Sequence, residues 1–239
     1  MPIGPIVNMF AIIIGGFLGA FFQNSIPERL TKAMPLTFGA ASMGMGIYAI
    51  TKLETLPPVI LSLLIGSVFG ELIRLEKGIE WCANKVRIPL GNFLSKGQSM
   101  KTNDDFMEKF VAIVVLFCAS GTGVFGAMNE GIIGDTSLLI SKAFLDFFTA
   151  AIFATTLGFM IITVAVPQVM VSLTLYFSAG FLLPLTEPFM INDFSAVGGV
   201  IMLATGFRIA GIKLFPIANM LPALLIVMPI SNLWMILFG

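Results

Sequence analysis

The sequence predicts an all-α protein: a bundle of about eight helices that crosses a lipid membrane several times. Of its 239 residues, 57% are hydrophobic and only 11% are charged, whereas a soluble domain carries about a quarter charged residues. The mean hydropathy is +1.00. Apolar runs of about 20 residues recur along the whole chain, which is the helix length that a hydrocarbon core of about 30 Å requires. We therefore expect the lipid bilayer to be the main partner.

The composition argues against several classes of function. The formal net charge is zero, so we expect no nucleic-acid partner. Histidine is absent, which removes the commonest metal ligand and acid–base group. Cys82 and Cys118 are far apart in the sequence and are read as small buried hydrophobes. We expect neither an enzyme nor a cofactor, and no metal site is assigned.

Four spans are predicted in the first half of the chain. Apolar runs place the first three at 5–23, 33–51 and 56–74. The N-terminal segment has no basic region or cleavage site of a signal peptide, so the first run is expected to remain a membrane helix. The polar stretch 75–107 is predicted to be an amphipathic interfacial helix followed by a loop. The fourth span begins near Glu108; if it entered the membrane without crossing, the count would be seven.

The second half of the chain predicts four more spans. Between Ser137 and Leu185 the apolar run is too long for one crossing, so we divide it at Pro167 into spans 137–163 and 168–185. Residues 186–193 are predicted to form a short acidic loop. Span seven covers 194–211, and span eight starts at Phe215. The whole chain, 1–239, is predicted to be a single transmembrane domain.

The positions of lysine and arginine predict the orientation in the membrane. Most of them fall in or beside the loops that follow the odd-numbered spans: Arg29, Lys32, Arg74, Lys77, Lys85, Arg87, Lys96, Lys101, Lys109, Arg208 and Lys213. Basic loops remain in the cytoplasm. We therefore predict that the segment 75–107 is cytoplasmic and that the two termini lie outside.

Two sequence matches are of the kind that inverted repeats leave. The pattern Pro-Ile-x-Asn-Met occurs at Pro5–Met9 and at Pro216–Met220. Residues 17–46 also match 177–206 without gaps, with these identical pairs: Phe17 and Phe177, Phe21 and Phe181, Gly39 and Gly199, Gly46 and Gly206. The second match gives repeat halves 1–74 and 161–239. Inverted repeats are common in secondary transporters, and chance similarity of apolar segments is the alternative.

A glycine-rich segment at 119–136 separates two apolar runs and contains acidic side chains. Glycine lets the backbone leave helical geometry, and the N–H and C=O groups that this frees can bind a solute or ion inside a bundle. We predict a broken or re-entrant helix here; an ordinary extracellular loop is the alternative. The segment also fits GxGxxG, but a dinucleotide site needs a preceding strand. The candidate binding residues are Gly121, Thr122, Gly123, Asn129, Glu130 and Asp135.

Lys142 and Asp146 are four positions apart and therefore share one face of the fifth span. Each would cost about 3 kcal/mol or more unpaired at the centre of a membrane. Two interpretations remain open: a structural ion pair, or a site where Asp146 binds a proton or Na⁺ and Lys142 is its counter-charge. Asn8 and Asn219 are further candidates, either as interhelical hydrogen-bonding groups or as ligands.

The chain resembles the bacterial membrane proteins of domain-of-unknown-function family 554. The resemblance rests on VNMFAIIIGGFLGAFF near the start, GAMNEGIIGDTSLLISKAFLDFFTAAIFATTLG in the middle and GFRIAGIKLFPIANMLPALL near the end. The middle motif, which places Gly134-Asp135 before Ser141-Lys142 and Asp146, is the most specific. Membership implies a multi-pass protein of the bacterial cell membrane and brings no assigned activity.

Taken together, these features predict a proton- or sodium-coupled secondary transporter of a small solute or ion. Buried charge, glycine breaks and internal symmetry all favour that class. The alternatives are an ion or small-solute channel with a re-entrant pore loop and a membrane scaffold without transport. In each of these cases, the chain could act as a homo-oligomer.

Overall fold

The structure, a computed structural model, describes residues 1–23, 25–79, 81, 110, 113–114, 116–118, 120–180 and 186–238. Its helices are α1 (Ile3–Phe21), α2 (Glu28–Ile50), α3 (Leu56–Leu72), α4 (Gly121–Ile133), α5 (Ser137–Leu157), α6 (Ala165–Gly180), α7 (Pro188–Ile209), α8 (Ile217–Met220) and α9 (Ala223–Phe238), with a 3₁₀ segment, Gly158–Val164, between α5 and α6. The described residues of 110–118 are also helical.

Several helices have the length and composition of membrane spans. The continuous apolar stretches that are long enough are Ile3–Phe21, Arg29–Ile50, Ser137–Gly180, Pro188–Ile209 and Ile217–Phe238, and α3 is a shorter apolar helix. Large apolar side chains point away from the bundle on many helices, including Phe10, Leu64, Phe144 and Ile236. An outer surface of this kind requires lipid as solvent. The predicted helical membrane bundle is confirmed.

Glycines on α1 bring it into close parallel contact with α5. Gly15 lies against Phe147 and Gly19 against Ala151, so the residue numbers rise together along the two helices. A Cβ atom at either glycine would overlap the backbone of α5. The second helix pair is antiparallel: in α2 and α7, Gly39 faces Gly206 and Gly46 faces Gly199. Small residues thus set both pairings.

The same kind of contact fixes the remaining directions. Gly66 and Gly70 of α3 meet Ala223 and Asn219, so α3 and α9 are antiparallel. Gly123 meets Lys142 across the turn between α4 and α5. Consecutive long helices therefore alternate in direction. The segments 51–55 and 134–136 lie at one end of the bundle, the hairpin end; 22–27 and 210–216 lie at the other, the Arg208 end.

Three predicted boundaries were wrong. The long apolar run divides at Gly158, which has φ +58°, and Pro167 lies inside the first turn of α6, where a missing N–H costs little. Helix α7 begins at Pro188, so most of the predicted acidic loop 186–193 is helical. Helix α2 begins at Glu28 rather than at residue 33.

The predicted interfacial helix is only partly described. Helix α3 ends at Leu72, Arg74 has φ +51°, and residues 75–79 are helical again. The chain therefore changes direction between α3 and this helical turn, as an interfacial segment requires. The rest of 75–107 lies outside the described residues, apart from position 81.

Candidate functional site

The glycine-rich segment forms the short helix α4. Its N-cap, Ser120, has extended backbone, and the Ser120 hydroxyl oxygen accepts a hydrogen bond from the Gly123 N–H at 3.1 Å. The helix ends at Gly134, whose φ of +75° is in the left-handed region. Its 13 residues, 11 of them buried, extend about 20 Å, less than a membrane crossing. The alternative of an ordinary exposed loop is wrong.

Small residues let α4 insert between its neighbours. Gly121 lies against Ile201 and Thr205 of α7, and Gly123 lies against the side chain of Lys142 on α5. A Cβ atom at Gly123 would come within 2.9 Å of Lys142 Cε. Larger side chains at these positions would push α4 away from both helices. The glycines therefore position the start of α4 beside the charged face of α5.

The ion pair predicted on α5 is present and buried. Lys142 Nζ contacts Asp146 Oδ2, and the Lys142 side chain is 3% exposed. The ammonium group also lies 5.7 Å from the ring centroid of Phe117, a cation–π distance. Removing one partner from such a pair leaves an uncompensated charge in a medium that solvates it poorly. The two groups are therefore tightly coupled in this conformation.

A cavity of about 600 Å³ lies between α2, α5, α7 and the helical turn before α4. Its lining includes apolar side chains and a smaller number of polar ones: Pro35, Phe38, Glu76, Ile113, Leu116, Ser120, Thr149, Ile152, Phe153, Thr156, Leu157, Thr205, Arg208, Ile209, Leu214, Ile217 and Ala218. The volume is typical of a site for a small molecule. Since Leu214 and Arg208 belong to it, the cavity reaches the Arg208 end.

The ion pair lies next to this cavity but does not line it. Lys142, Asp146, Thr149, Phe153 and Thr156 recur every three or four positions, so they share one face of α5. The last three line the cavity, and Asp146 is one turn beyond Thr149. Ser120 also lines the cavity, and Gly123 lies against the Lys142 side chain. We call Thr149 and Ser120 the cavity floor; the charged pair lies one turn beyond it.

A second ion pair lies on the cavity wall near its entrance. Arg208 Nη1 donates to Glu76 Oε1 at 2.5 Å and to the Phe215 carbonyl oxygen at 3.0 Å. The side chain of Arg208 is 30% exposed, so water screens this pair more than the inner one. Glu76 belongs to the helical turn after α3, and the pair thus connects that turn to α7.

Two other predicted residues have structural partners at the hairpin end. Both carboxylate oxygens of Glu130 accept from the Gly4 N–H at 3.1 Å, so this side chain caps the start of α1. Asp135 lies in the turn between α4 and α5 and accepts from the Ser137 N–H at 2.9 Å. Hydrogen bonds from the Ser137 side chain and backbone lower the pKa of Asp135. Neither residue belongs to the cavity.

The predicted asparagines lie on three different helices, α1, α4 and α8. Asn219 donates to Glu71 Oε2 at 2.5 Å and accepts from the Glu76 N–H at 2.8 Å, near the Arg208 end. Asn8 of α1 and Asn129 of α4 are buried, and neither amide has a hydrogen-bond partner among the described residues. Thr122 instead contacts Ser42 of α2, with 3.2 Å between the hydroxyl oxygens.

Sequence reasoning missed Asp193, which is completely buried at the hairpin end. Its carboxylate accepts from the Glu54 N–H at 3.2 Å, the Thr55 N–H at 2.8 Å, the Thr55 hydroxyl and the Ser231 hydroxyl at 2.7 Å. The missed signal was Pro188: proline favours the first turn of a helix, and a helix starting there places Asp193 inside the bundle. We call Asp193, Glu54, Thr55 and Ser231 the Asp193 cluster.

The carboxylate one turn beyond the cavity floor is that of Asp146, and Lys142 is its partner. Within the part of the chain that the structure describes, no three acidic or thiol side chains come together as a metal site. Loss of the negative charge of Asp146 would leave Lys142 without that partner. A change at one group therefore alters the charge balance beside the start of α4.

An apolar helical bundle with a buried ion pair below a cavity open at one end defines a polytopic membrane protein. The chain belongs to the family described as protein of unknown function (DUF554), whose profile matches residues 3–232. It is 49% identical over 234 residues to the uncharacterized protein YqgA of Escherichia coli (strain K12), covering 98% of each chain. It is 30% identical over 229 residues to the uncharacterized membrane protein YdfK of Bacillus subtilis (strain 168), covering 93% of each. No solved structure matches it.

Proposed function

We propose that the chain is a secondary transporter of a small solute or ion in the bacterial cell membrane, coupled to protons or sodium. The observation that carries this proposal is the buried Lys142–Asp146 pair, one helical turn beyond the lining of a cavity that reaches the Arg208 end. A buried ion pair is costly in a membrane, so we expect it to be retained for function or for folding. Its position below a cavity of ligand size favours function.

The proposed mechanism uses competition at the pair. In the present conformation Asp146 neutralises Lys142. A proton or Na⁺ bound to Asp146 weakens that interaction and leaves the ammonium group without its partner. The bundle can lower the resulting cost by changing conformation or by binding a solute that contacts Lys142. Coupling then follows because the two binding events share one charge balance.

The break before α4 supports a moving element in this mechanism. The described residues of 110–118 are helical, Ser120 has extended backbone, and α4 starts at Gly121. Two helical pieces that meet at mid-chain can reorient about the break at small cost, and transporter sites are commonly built from such discontinuous helices. The break lies beside both the cavity and Lys142.

The helix bounds support inverted repeats with halves 1–74 and 161–239. Helix α2 begins at Glu28 and α7 at Pro188, which is 160 positions later. Helix α3 begins at Leu56 and α8 at Ile217, an offset within one residue of the same value. Within each of these pairs, the helices run in opposite directions through the bundle. This offset is the one that the match of 17–46 with 177–206 predicts.

The charge distribution supports an orientation with the Arg208 end in the cytoplasm. Arg29, Arg74, Lys77, Arg208 and Lys213 lie in or next to segments at that end. Basic residues are retained on the cytoplasmic side. In this orientation the cavity opens inward.

The test is solute-dependent proton movement in everted membrane vesicles that hold an imposed pH gradient, followed with a fluorescent pH probe. Na⁺, K⁺ and a panel of small organic solutes are added in turn. We expect at least one to give saturable dissipation of the gradient that Asp146→Asn abolishes. Asp135→Asn, which changes a partly exposed carboxylate outside the cavity, is the matched control and keeps activity. Non-saturating flux with unitary currents in planar bilayers would identify a channel instead, and full activity of Asp146→Asn would remove Asp146 from the mechanism.

A further inference from the structure

The crossing of α2 and α7 has a reciprocal pattern of contacts. With the offset of 160 positions, the counterpart of Gly39 is Gly199 and the counterpart of Gly46 is Gly206. Gly39 contacts Gly206, and Gly46 contacts Gly199, so each glycine touches the counterpart of the other. Such reciprocity is what a two-fold axis between two equivalent surfaces produces.

Two counterparts also meet each other directly. The Ser42 hydroxyl donates to the Met202 carbonyl oxygen at 3.1 Å, and Met202 lies 160 positions after Ser42. A residue that touches its own counterpart lies on the axis. The same hydroxyl contacts Thr122 of α4, so the axis passes close to the start of the short helix.

The repeat halves 1–74 and 161–239 correspond in sequence, but the two ends of the bundle differ in structure. At the Arg208 end, the cavity lies between the first half of α2, with Pro35 and Phe38, and the second half of α7, with Ile209. The counterparts of these three residues at the hairpin end are Ser195, Gly198 and Ala49. Ser195 is 1% exposed and Ala49 is 2% exposed, and none of the three counterparts lines the cavity of the Arg208 end.

Two sets of contacts close the hairpin end. The Phe125 ring lies directly against Gly198 and packs on Phe194, with ring centroids 5.2 Å apart. The Asp193 cluster, further toward the end, joins the start of α7 to the segment before α3 and to α9. At the Arg208 end, Arg208 at the end of α7 joins Glu76 and the Phe215 carbonyl oxygen, with the cavity beside them.

We infer that the opposite-facing state of the proposed transporter arises when the two halves exchange conformations about the Ser42–Met202 axis. This inference rests on the proposed function. In that state the substrate path opens at the hairpin end, where Ser195, Gly198 and Ala49 line it as the counterparts of Pro35, Phe38 and Ile209. The Asp193 cluster acts as the outer closure and must separate, while the present cavity closes.

The test is cysteine accessibility in proteoliposomes, in a protein whose Cys82 and Cys118 are replaced by serine. Single variants Ser195→Cys and Ala49→Cys are exposed to a membrane-impermeant maleimide from each side separately. We expect labelling of both from the hairpin end only. Ala154→Cys is the matched control: Ala154 is equally buried, lies on α5 outside both predicted cavities and should stay unlabelled.

A disulfide tests the closure. Thr55 and Ser231 both donate to Asp193 Oδ2, so Thr55→Cys with Ser231→Cys brings two thiols close enough to oxidise. We expect oxidation to slow labelling at Ser195→Cys several-fold and to leave labelling of Thr149→Cys from the Arg208 end unchanged. Reduction of the disulfide should restore the labelling rate of Ser195→Cys. Ser195→Cys replaces a hydroxyl with a thiol of similar shape, so it remains informative if Ala49→Cys does not fold.

The outcomes separate this inference from the proposed function. If Thr149→Cys is labelled from both ends while Ser195→Cys and Ala49→Cys never react, transport stands and the exchange of halves is rejected. Equal labelling of Ser195→Cys with and without the disulfide rejects the Asp193 cluster as the closure. If Thr149→Cys reacts only from the Arg208 end and no solute moves, the proposed function and this inference both fall.

Discussion

At the residue scale, the charged face of α5 buries two opposite charges side by side. Lys142 and Asp146 are both buried, and each neutralises the other. The free-energy cost of burying two opposite charges is offset only while both are present, because a lone buried charge has no water to solvate it. The pair should therefore respond very differently to single and double substitution.

The first prediction concerns that pair. Lys142→Met should lower the free energy of unfolding in detergent by about 3–5 kcal/mol, because it leaves the Asp146 carboxylate unpaired. Lys142→Met combined with Asp146→Leu should recover most of that loss, since neither charge remains. Thermal unfolding measures both variants. The double variant should nevertheless show no solute-dependent flux; a stable double variant with normal flux would show that the pair is purely structural.

The second prediction concerns the cap on α1. Glu130→Gln keeps an acceptor for the Gly4 N–H but loses the favourable charge at a helix N-terminus, so it should cost about 0.3–1 kcal/mol of stability. Solute flux should persist at the wild-type level, because the Glu130 carboxylate lies outside the cavity. Flux assays on the purified variant check this. Loss of flux in a folded Glu130→Gln protein would place Glu130 in the transport path.

At the scale of elements, glycine contacts decide which helices pair, and they explain what could be predicted from the sequence. Spacings such as Gly15-xxx-Gly19 indicate close packing, and the structure shows α5 as the partner of α1. Sequence periodicity predicted the spans because lipid imposes their length. It could not name partners, since a small-residue face fits any helix of complementary shape.

The predicted helix boundaries were wrong where a proline and a glycine both could have ended a helix. Pro167 was chosen as the division of the long apolar run, yet a proline in the first turn of α6 is compatible with that helix. Gly158, with φ +58°, ends α5 because glycine adopts that conformation without a Cβ penalty. The buried position of Asp193 was missed for another reason: its hydrogen-bond donors come from the segment before α3 and from α9, far away in sequence.

The third prediction contrasts two helical glycines. A Cβ atom at Gly15 would overlap the backbone at Phe147, whereas one at Gly44 would meet nothing within 4 Å. Gly15→Ala should therefore lower stability by about 1–3 kcal/mol through overpacking. Gly44→Ala should raise it by about 0.5–1 kcal/mol, because alanine loses less backbone entropy in a helix. Thermal unfolding in one detergent compares them; equal effects would contradict the close pairing of α1 with α5.

At the scale of the whole molecule, the bundle has two ends with different charge and different openness. The Arg208 end holds the cavity and most of the basic residues that the structure describes, and the hairpin end holds the Asp193 cluster. The class of the protein and the pairing of Lys142 with Asp146 could be predicted from the sequence, because a charge within an apolar run has few ways to be neutralised. The cavity could not be predicted, since it depends on how α2, α5 and α7 diverge in space.

The fourth prediction concerns orientation. In intact cells, a membrane-impermeant maleimide should label Asp135→Cys, because the turn between α4 and α5 lies at the hairpin end and faces outward. Lys213→Cys should react only in everted vesicles, since positive residues mark the cytoplasmic side. Both positions are outside the long helices, so folding should be unaffected. The reverse labelling pattern would invert the proposed orientation and turn the cavity outward.

The most direct test of the central claim measures access to the cavity floor. Thr149→Cys, one turn above Asp146, is labelled from each side of the membrane in proteoliposomes in which Cys82 and Cys118 are replaced. The account predicts labelling from both sides, and it predicts that the oxidised Thr55→Cys/Ser231→Cys pair removes only the labelling from the hairpin end. Labelling from the Arg208 end alone, in protein that is actively moving solute, would contradict a site at the Lys142–Asp146 pair with alternating access.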